Sequence, residues 1–291
     1  MSDTGLLTMR VMTLDSDSMK KLLLFILFFT TLLLFSGEYK RVVSLTPSVT
    51  EMICAVGAEE LLVARSDACD YPQRVKQLPV AGKLGVPDVE TILRLKADLI
   101  ISDMSVPAAE WDMLKKLNIK TVLLVSDSLA SYRRNILTVG ALLGKKKNAW
   151  KECERFYAEL ETLRKTQNGT GKVSALILLG VNPLVSCSKE TFVSEIVELA
   201  GTVSITRDAK QRYFVLSSEF AVEKNPEIAV ISGMSGDFRK HISSIPVWKH
   251  LRFVRNQAMI DSIPQELLCR LSPRTPQAVR MLREAMDKLR K

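Results

Sequence analysis

Histidine is scarce in this chain, which has only His241 and His250 among its 291 residues. The five cysteines form no Cys-x-x-Cys pair and have no histidine close by in the sequence. Protein sites for zinc and iron–sulfur clusters are built from such closely spaced ligands. The scarcity therefore argues against a resident metal centre, and we expect the protein to carry no metal and no cofactor.

Signatures of nucleotide binding and of hydrolysis are also missing. No Gly-x-Gly-x-x-Gly follows the first strand-like run, and no Gly-x-x-x-x-Gly-Lys-Ser/Thr loop occurs. The segment Gly233-Met-Ser-Gly236 departs from the Gly-x-Ser-x-Gly pattern of a serine nucleophile. These absences predict a binding protein and not an enzyme.

A concentrated basic patch is lacking, although the net charge is +9 and the isoelectric point is about 9.3. The basic residues are scattered, and only Lys145–Lys147 form a tight run. No zinc-finger spacing or aromatic RNA-binding motif accompanies them, so we expect no nucleic-acid partner. A basic surface of this kind suits solubility, or work beside a negatively charged membrane.

The longest apolar run lies near the amino terminus. Lys20 and Lys21 precede 14 residues, Leu22–Phe35, interrupted only by two threonines. A positive flank followed by a run of this length is typical of a secretory signal peptide, and a membrane span needs about 20 residues. The sequence predicts a signal peptide over residues 1–37, with an uncleaved anchor as the alternative. Met19 is a second candidate start. We expect an exported protein, in the periplasm or at the outer face of the cytoplasmic membrane.

Two stretches 129 positions apart have the same pattern. Glu90 opens a short helical turn, and Asp98, eight residues later, precedes an apolar run that is typical of a buried strand. Glu219 and Glu227 repeat this arrangement in the second half. A helix-to-strand unit in each half predicts two lobes of similar build. A cleft between lobes is a common place for a small ligand.

Strand-like runs alternate with helices of about ten residues through most of the chain, which predicts parallel β-α units. The exception is the stretch from Leu129 to Leu163, where apolar residues recur at helical spacing. We predict an α/β fold of two Rossmann-like lobes, residues 38–127 and 168–291. A single long helix over residues 128–167, bent near Gly144, joins them. Such a rigid connection predicts limited closure on a ligand.

Several motifs in order resemble a known family. In the first half they are Arg41-Val-Val-Ser-Leu-Thr-Pro-Ser-Val-Thr-Glu51, Cys69-Asp-Tyr-Pro72 and Asp88-Val-Glu90. In the second half they include Gly180-Val-Asn-Pro183, Glu198-Leu-Ala-Gly201, Asn225-Pro-Glu227 and Ser272-Pro-Arg274. Over residues 40–290 the chain resembles the exported substrate-binding proteins of ABC importers that have a helical backbone between lobes. That group serves cobalamin, ferric siderophores and haem.

The resemblance implies a ligand class. The Asp-Tyr-Pro turn and Asn182-Pro183 resemble the cobalamin binders of the family, so a corrinoid is the expected cargo. Two aromatic residues typical of those proteins are replaced, by Ala68 before the turn and by Lys83-Leu-Gly85 in the next loop. A ferric siderophore or haem is the alternative cargo. From another class, a membrane-anchored redox protein with a metal cofactor is a further alternative.

Five residues are predicted to contact the ligand. Tyr213 and Phe214 precede a helix that starts near Ser217, and we expect both on a loop that faces the cleft. The full set is Asp70, Tyr71, Asn182, Tyr213 and Phe214.

Glu90 and Glu219 are predicted to dock the protein on its transporter. A glutamate at a helix N-terminus is also stabilising by itself, by about 0.3–1 kcal/mol. The resemblance implies in addition that one glutamate of each lobe pairs with arginines of the two membrane subunits. Related positions on both lobes suit a partner with two-fold symmetry. The expected partners are an ABC permease dimer with its ATPase, and the protein itself is expected to be a monomer.

Overall fold

The computed structural model of the protein describes residues 39–166, 172–232 and 238–289. The predicted signal peptide or anchor over residues 1–37, and the Gly233–Gly236 segment, lie outside the described residues. Within those three ranges, no helix has the length and apolarity needed to cross a membrane.

The amino-terminal lobe is built around a parallel sheet. Its elements are β1 (Val42–Ser44), α1 (Pro47–Ala55), β2 (Leu62–Arg65), β3 (Gly82–Lys83), β4 (Val86–Pro87), α2 (Val89–Arg94), β5 (Leu99–Ser102), α3 (Ala108–Lys116) and β6 (Lys120–Leu123). The sheet order is β2-β1-β5-β6, and β3 pairs with β4 as a short antiparallel hairpin. Both β1 and β5 are fully buried, as expected of strands covered on both faces.

The connection between lobes consists of two helices, α4 (Leu129–Leu142) and α5 (Lys146–Lys165). The predicted helix over 128–167 is therefore interrupted, at Gly144, whose φ of +68° favours glycine. The two helices pack side by side. The ring of Tyr132 stacks on that of Phe156 at 3.8 Å between centroids.

The interior of this helical pair is tightly packed. A Cβ added at Gly140 would lie 2.2 Å from the Cβ of Ala149, so a larger residue at Gly140 would push the helices apart. The buried residues of the pair are contiguous with those of both lobes. A close-packed core of this kind transmits force, which makes the connection a stiff support.

The carboxy-terminal lobe has two sheets. Its strands are β7 (Val173–Leu178), β8 (Gly180–Val181), β9 (Leu184–Cys187), β10 (Thr202–Ser204), β11 (Tyr213–Val215), β12 (Ile228–Ile231) and β13 (Met259–Ile260). Its helices are α6 (Phe192–Leu199), α7 (Ser218–Lys224), α8 (Phe238–Ser244), α9 (Arg252–Arg255), α10 (Gln265–Leu268) and α11 (Thr275–Leu289). The parallel sheet has the order β10-β7-β12-β13, and the antiparallel one β11-β9-β8.

The two parallel sheets have the same topology, because β1, β2, β5 and β6 correspond to β7, β10, β12 and β13. The predicted α/β fold with two lobes is confirmed. The acids noted in the sequence serve the same purpose in both sheets. Asp98 accepts hydrogen bonds from the backbone N–H groups of Lys40 (2.8 Å) and Arg41 (2.9 Å). Glu227 accepts them from the backbone N–H (2.9 Å) and hydroxyl (3.1 Å) of Ser174.

Candidate functional site

A cavity of about 540 Å³ lies between the lobes, and residues of both lobes line it. On the amino-terminal side its wall follows the carboxyl ends of three neighbouring parallel strands, β1, β5 and β6. Ligands of open α/β sheets bind at this edge. The volume is within the range of about 300–1,000 Å³ that is usual for small-molecule sites.

The amino-terminal wall has a polar part. Ser48, at the start of α1, and Ser126, after β6, both donate hydrogen bonds to the same carboxylate oxygen of Asp103. The Thr46 hydroxyl, at the N-cap of α1, is buried and has no hydrogen-bond partner within the described residues. An unpaired buried hydroxyl is costly, so this wall favours a ligand with hydrogen-bonding groups.

The carboxy-terminal wall adds aromatic and aliphatic surface. Phe192 at the start of α6, Leu271, and the exposed ring of Tyr213 on β11 contribute carbon surface. Partial burial raises the pKa of Tyr213 to about 12. Like any neutral phenol, its hydroxyl can donate a hydrogen bond. Each wall therefore combines carbon surface with polar groups: the amino-terminal wall has Ala68 and Leu84 beside its hydroxyls and carboxylate, and the carboxy-terminal wall has Glu266 and Arg270 beside its apolar side chains.

Of the five predicted ligand residues, Tyr213 is the one that lines this cavity. The loop predicted for Tyr213 and Phe214 is wrong, because both lie on β11. Successive side chains of a strand face opposite sides, and Phe214 packs against the core. Asn182 is exposed in the turn between β8 and β9 and does not line the cavity.

Asp70 and Tyr71 lie beside the cavity and contact the opposite lobe. The Asp70 carboxylate accepts hydrogen bonds from both terminal nitrogens of Arg270, at 2.6 and 3.2 Å. The Arg274 guanidinium lies 3.9 Å from the centroid of the Tyr71 ring, a cation–π contact. Tyr71 lines a separate depression of about 380 Å³, so the structure does not bring it to the same pocket as Tyr213.

A buried ion pair joins the lobes behind these residues. The two carboxylate oxygens of Glu51 accept hydrogen bonds from Arg274 at 2.6 and 2.8 Å. The Glu51 side chain is 2% exposed. For Asp70, burial raises the pKa, but the hydrogen bond and positive charge of Arg270 outweigh it, so the pKa lies below its usual range. Both pairs fix the lobes to each other where the cleft ends.

Sequence reasoning missed Asp103, Arg270 and the hydroxyls of the amino-terminal wall. One signal was available for Asp103, because it directly follows the predicted strand β5, where cleft residues are expected. Arg270 has no such signal, since its partner Asp70 is 200 positions away.

The two positions at which the sequence departs from cobalamin binders both face the cavity. Ala68 and Leu84 line the cavity wall. The loop predicted around Lys83–Gly85 is part of the β3–β4 hairpin, and Leu84 is in its turn. The amino-terminal lobe therefore presents a methyl group and an aliphatic side chain where an aromatic face was expected.

Glu90 and Glu219 occupy equivalent places. Each is exposed in the first turn of its helix, α2 or α7. The N-cap of α2 is Asp88, which accepts from the Thr91 backbone, and the N-cap of α7 is Ser217. The Ser217 hydroxyl donates a 2.7 Å hydrogen bond to Glu219, which lowers the pKa of that glutamate. Both glutamates are exposed to solvent.

No cluster of three or more histidine, cysteine or acidic side chains able to hold a metal was found in residues 39–166, 172–232 and 238–289. His241 and His250 are exposed.

The chain matches a family model described as periplasmic binding protein over residues 42–265. The chain belongs to this family. A vitamin B12-binding protein of Vibrio parahaemolyticus is 27% identical over 266 residues, which cover 90% of this chain and 94% of that protein. The ABC transporter substrate-binding lipoprotein YvrC of Bacillus subtilis is 27% identical over 257 residues, 86% of this chain and 80% of that protein.

Solved structures agree with the family. The vitamin B12-binding protein BtuF of Vibrio cholerae is 25% identical, with a TM-score of 0.72, over 87% of this chain and 98% of that one. The haem-binding protein RhuT from Roseiflexus has the same fold, with a TM-score of 0.77 at 23% identity, over 87% of this chain and all of that one. The resemblance seen in the motifs is confirmed: this is an ABC transporter substrate-binding protein. Solved structures of the same fold include a vitamin B12-binding and a haem-binding protein.

Proposed function

We propose that the protein captures a corrinoid of the vitamin B12 type in the cavity between its lobes and delivers it to an ABC importer. The observation that carries this proposal is the composition of the cavity, in which an aromatic ring and aliphatic side chains lie beside hydroxyls, carboxylates and a guanidinium. A flat macrocycle with polar groups on its rim needs both. Named relatives that bind vitamin B12 support the same cargo.

The charge of the cavity favours a neutral ligand. Among the described lining residues, Asp103 and Glu266 are acidic, and Arg270 is the one cation, already paired with Asp70. The carboxylates of haem, or the oxygens of an anionic siderophore, would face Asp103 and Glu266 at a cost. The side-chain amides of a corrinoid can instead donate hydrogen bonds to Asp103.

Delivery uses Glu90 and Glu219, which we propose pair with one basic side chain in each half of a permease dimer. Both are exposed and equivalent in the two lobes. Each exposed pair adds little affinity, but two pairs fix the orientation of the protein over the importer. Export to the periplasm or the outer face of the cytoplasmic membrane follows from this role. The Asp70–Arg270 and Glu51–Arg274 pairs limit how far the lobes move.

The test is calorimetric titration of the purified protein with cyanocobalamin, cobinamide, haem and a panel of ferric siderophores. We expect a dissociation constant well below millimolar for a corrinoid, and weaker binding of haem. Tyr213→Ala should weaken corrinoid binding by about ten- to a hundredfold, the cost of one aromatic contact. Leu84→Ala should weaken corrinoid binding less than Tyr213→Ala does. Trp150→Ala, which removes an exposed aromatic ring of α5 away from the cavity, is the matched control.

Asp103→Asn separates the two ligand classes, because it removes a charge and keeps the shape of the side chain. We expect this variant to reduce the ratio of the dissociation constant for haem to that for the corrinoid. If the unaltered protein binds haem tightly and binds no corrinoid, haem is the cargo and the corrinoid proposal is wrong. If it binds none of the ligands tested, the proposed function is wrong.

A further inference from the structure

The segment that surrounds each docking glutamate repeats between the lobes, residue by residue. Residues 84–102 and 213–231 correspond at a constant offset of 129, and the offset holds for the N-caps Asp88 and Ser217 and for strands β5 and β12. Equivalent positions can therefore be compared directly, including those whose side chains are exposed.

Exposed aliphatic side chains flank the glutamate at the same two positions in each lobe. Four residues before Glu90 and three residues after it are Val86 and Leu93, which are 42% and 44% exposed. Their equivalents around Glu219 are Val215 and Val222, which are 66% and 40% exposed. We call these two sets the amino-terminal row (Val86, Glu90, Leu93) and the carboxy-terminal row (Val215, Glu219, Val222).

Both rows start beside the ligand cavity. Leu84 and Tyr213, each two residues before the first valine of a row, line that cavity. On β11 this spacing puts Val215 on the same side of the strand as Tyr213. A partner that covers both rows would therefore lie against both lobes next to the cavity, where a ligand has to leave.

A lone exposed aliphatic residue needs no explanation. Two pairs at matching positions around two matching carboxylates are different. A helix brings positions three residues apart onto one face, which places Leu93 beside Glu90 and Val222 beside Glu219. Val86 and Val215 lie just before the helices, on β4 and β11. A glutamate bordered by carbon surface is also shielded from water when that surface is covered, which strengthens its attraction to a cation. The arrangement fits a partner that offers one basic side chain surrounded by apolar surface, twice.

We propose that each docking surface is the whole row and not the glutamate alone. The partner is a two-fold symmetric membrane protein dimer, each subunit of which presents a basic residue bordered by apolar side chains. This inference rests on the proposed function, since it takes the partner to be the importer.

The test measures binding of the full-length protein to its permease–ATPase complex in lipid nanodiscs, at several salt concentrations. One variant carries Val86→Ser and Leu93→Ser, and a second carries Val215→Ser and Val222→Ser. Each should weaken binding by about ten- to a hundredfold with the salt dependence unchanged. Glu90→Gln or Glu219→Gln should weaken binding and also reduce the salt dependence, because a charge is lost.

Met113→Ser in the amino-terminal lobe and Val247→Ser in the carboxy-terminal lobe are matched controls, since both side chains are 51% exposed and lie outside the rows. Both should bind the complex as the unaltered protein does. Circular dichroism and ligand titration check that the row variants are folded and still bind cyanocobalamin, or haem if that is the cargo.

The outcomes are distinct. If the unaltered protein does not bind the complex, the proposed function fails. If it binds, the glutamate variants weaken binding and the row variants match the controls, the proposed function stands and this inference is overturned. If only one of the two row variants weakens binding to the complex, the proposal of a two-fold symmetric partner is wrong.

Discussion

The two lobes share a backbone framework and differ in what they present to the ligand. At equivalent positions, Lys96 and Asn225 both end a helix in the left-handed conformation, with φ of 51° and 41°. Asp98 and Glu227 both bind the start of the neighbouring strand. In the cavity, however, Leu84 of one lobe corresponds to Tyr213 of the other.

This difference separates two requirements. A helix that turns back into a parallel strand needs the same hydrogen bonds in either lobe, so the framework recurs. The cavity holds one ligand, whose two faces differ, so its walls need not match. The exposed rows around Glu90 and Glu219 are similar in the two lobes, as the framework is. This similarity is expected if their partner is symmetric.

The largest expected effect comes from breaking the link between the lobes. Glu51→Ala leaves the guanidinium of Arg274, which is 18% exposed, without its carboxylate. Removing one partner of a buried ion pair costs about 3–5 kcal/mol of unfolding free energy. Urea denaturation of the variant and of the unaltered protein measures this loss of unfolding free energy.

Glu51→Gln is the control for shape, because it keeps a hydrogen-bond acceptor for Arg274 and should cost less than Glu51→Ala. A loss under 1 kcal/mol for Glu51→Ala would mean that the ion pair does not hold the lobes together.

A smaller effect tests whether the framework is equivalent in the two lobes. Asp98→Ala and Glu227→Ala each remove the acceptor for the first residues of a neighbouring strand. We expect each to cost about 1.5 kcal/mol, the lower end for hydrogen bonds to a charged group, because both sites are partly open to solvent. Denaturation at pH 7 measures both.

The effect of Glu227 should depend on pH. The backbone N–H of Ser174, with smaller contributions from its hydroxyl and from Arg252, lowers the pKa of Glu227 despite partial burial. Its contribution is therefore fully present above about pH 4.3, the unfolded-state pKa, and is lost as the pH falls through the lower folded-state pKa. The unfolding free energies of Glu227→Ala and the unaltered protein should become equal below that folded-state pKa. A constant difference down to pH 2 would contradict this assignment.

The smallest effect concerns the left-handed residues. Lysine carries a cost of about 1 kcal/mol in this conformation, whereas asparagine tolerates it. Lys96→Gly should therefore raise the unfolding free energy by about 0.5 kcal/mol, and Asn225→Gly by less. Thermal unfolding of the two variants measures the difference. If Asn225→Gly were the more stabilising of the two, the helix ends would not be equivalent.

Much of the framework could be predicted from local patterns. The strands at 42–44, 99–102 and 173–178 are short apolar runs, and α1 starts at Pro47, a residue type favoured at the first position of a helix. The connection was predicted as one helix because apolar spacing continues across Gly144. Apolar periodicity does not indicate that the chain folds back at Gly144. That reversal is seen in the structure, where Tyr132 of α4 packs on Phe156 of α5.

Of the candidate site, the sequence indicated Tyr213 and the exposed glutamates. It placed Phe214 in the cleft because a two-residue aromatic run gives no indication of which side chain faces inward. The alternation along β11 decides that. Tyr71 is predicted to contact the ligand, and the structure shows its ring against Arg274, a contact between residues 203 positions apart that no local pattern indicates.

By itself, the sequence determined the two-lobed α/β framework and its repeat, because helix caps, strand runs and the acids at strand starts act over a few residues. Only the tertiary structure decided the cavity walls, the pairing of Asp70 with Arg270 and of Glu51 with Arg274, and the exposed rows. Those features join residues from distant segments. Their closeness depends on how the whole chain buries its apolar surface, which no local pattern records.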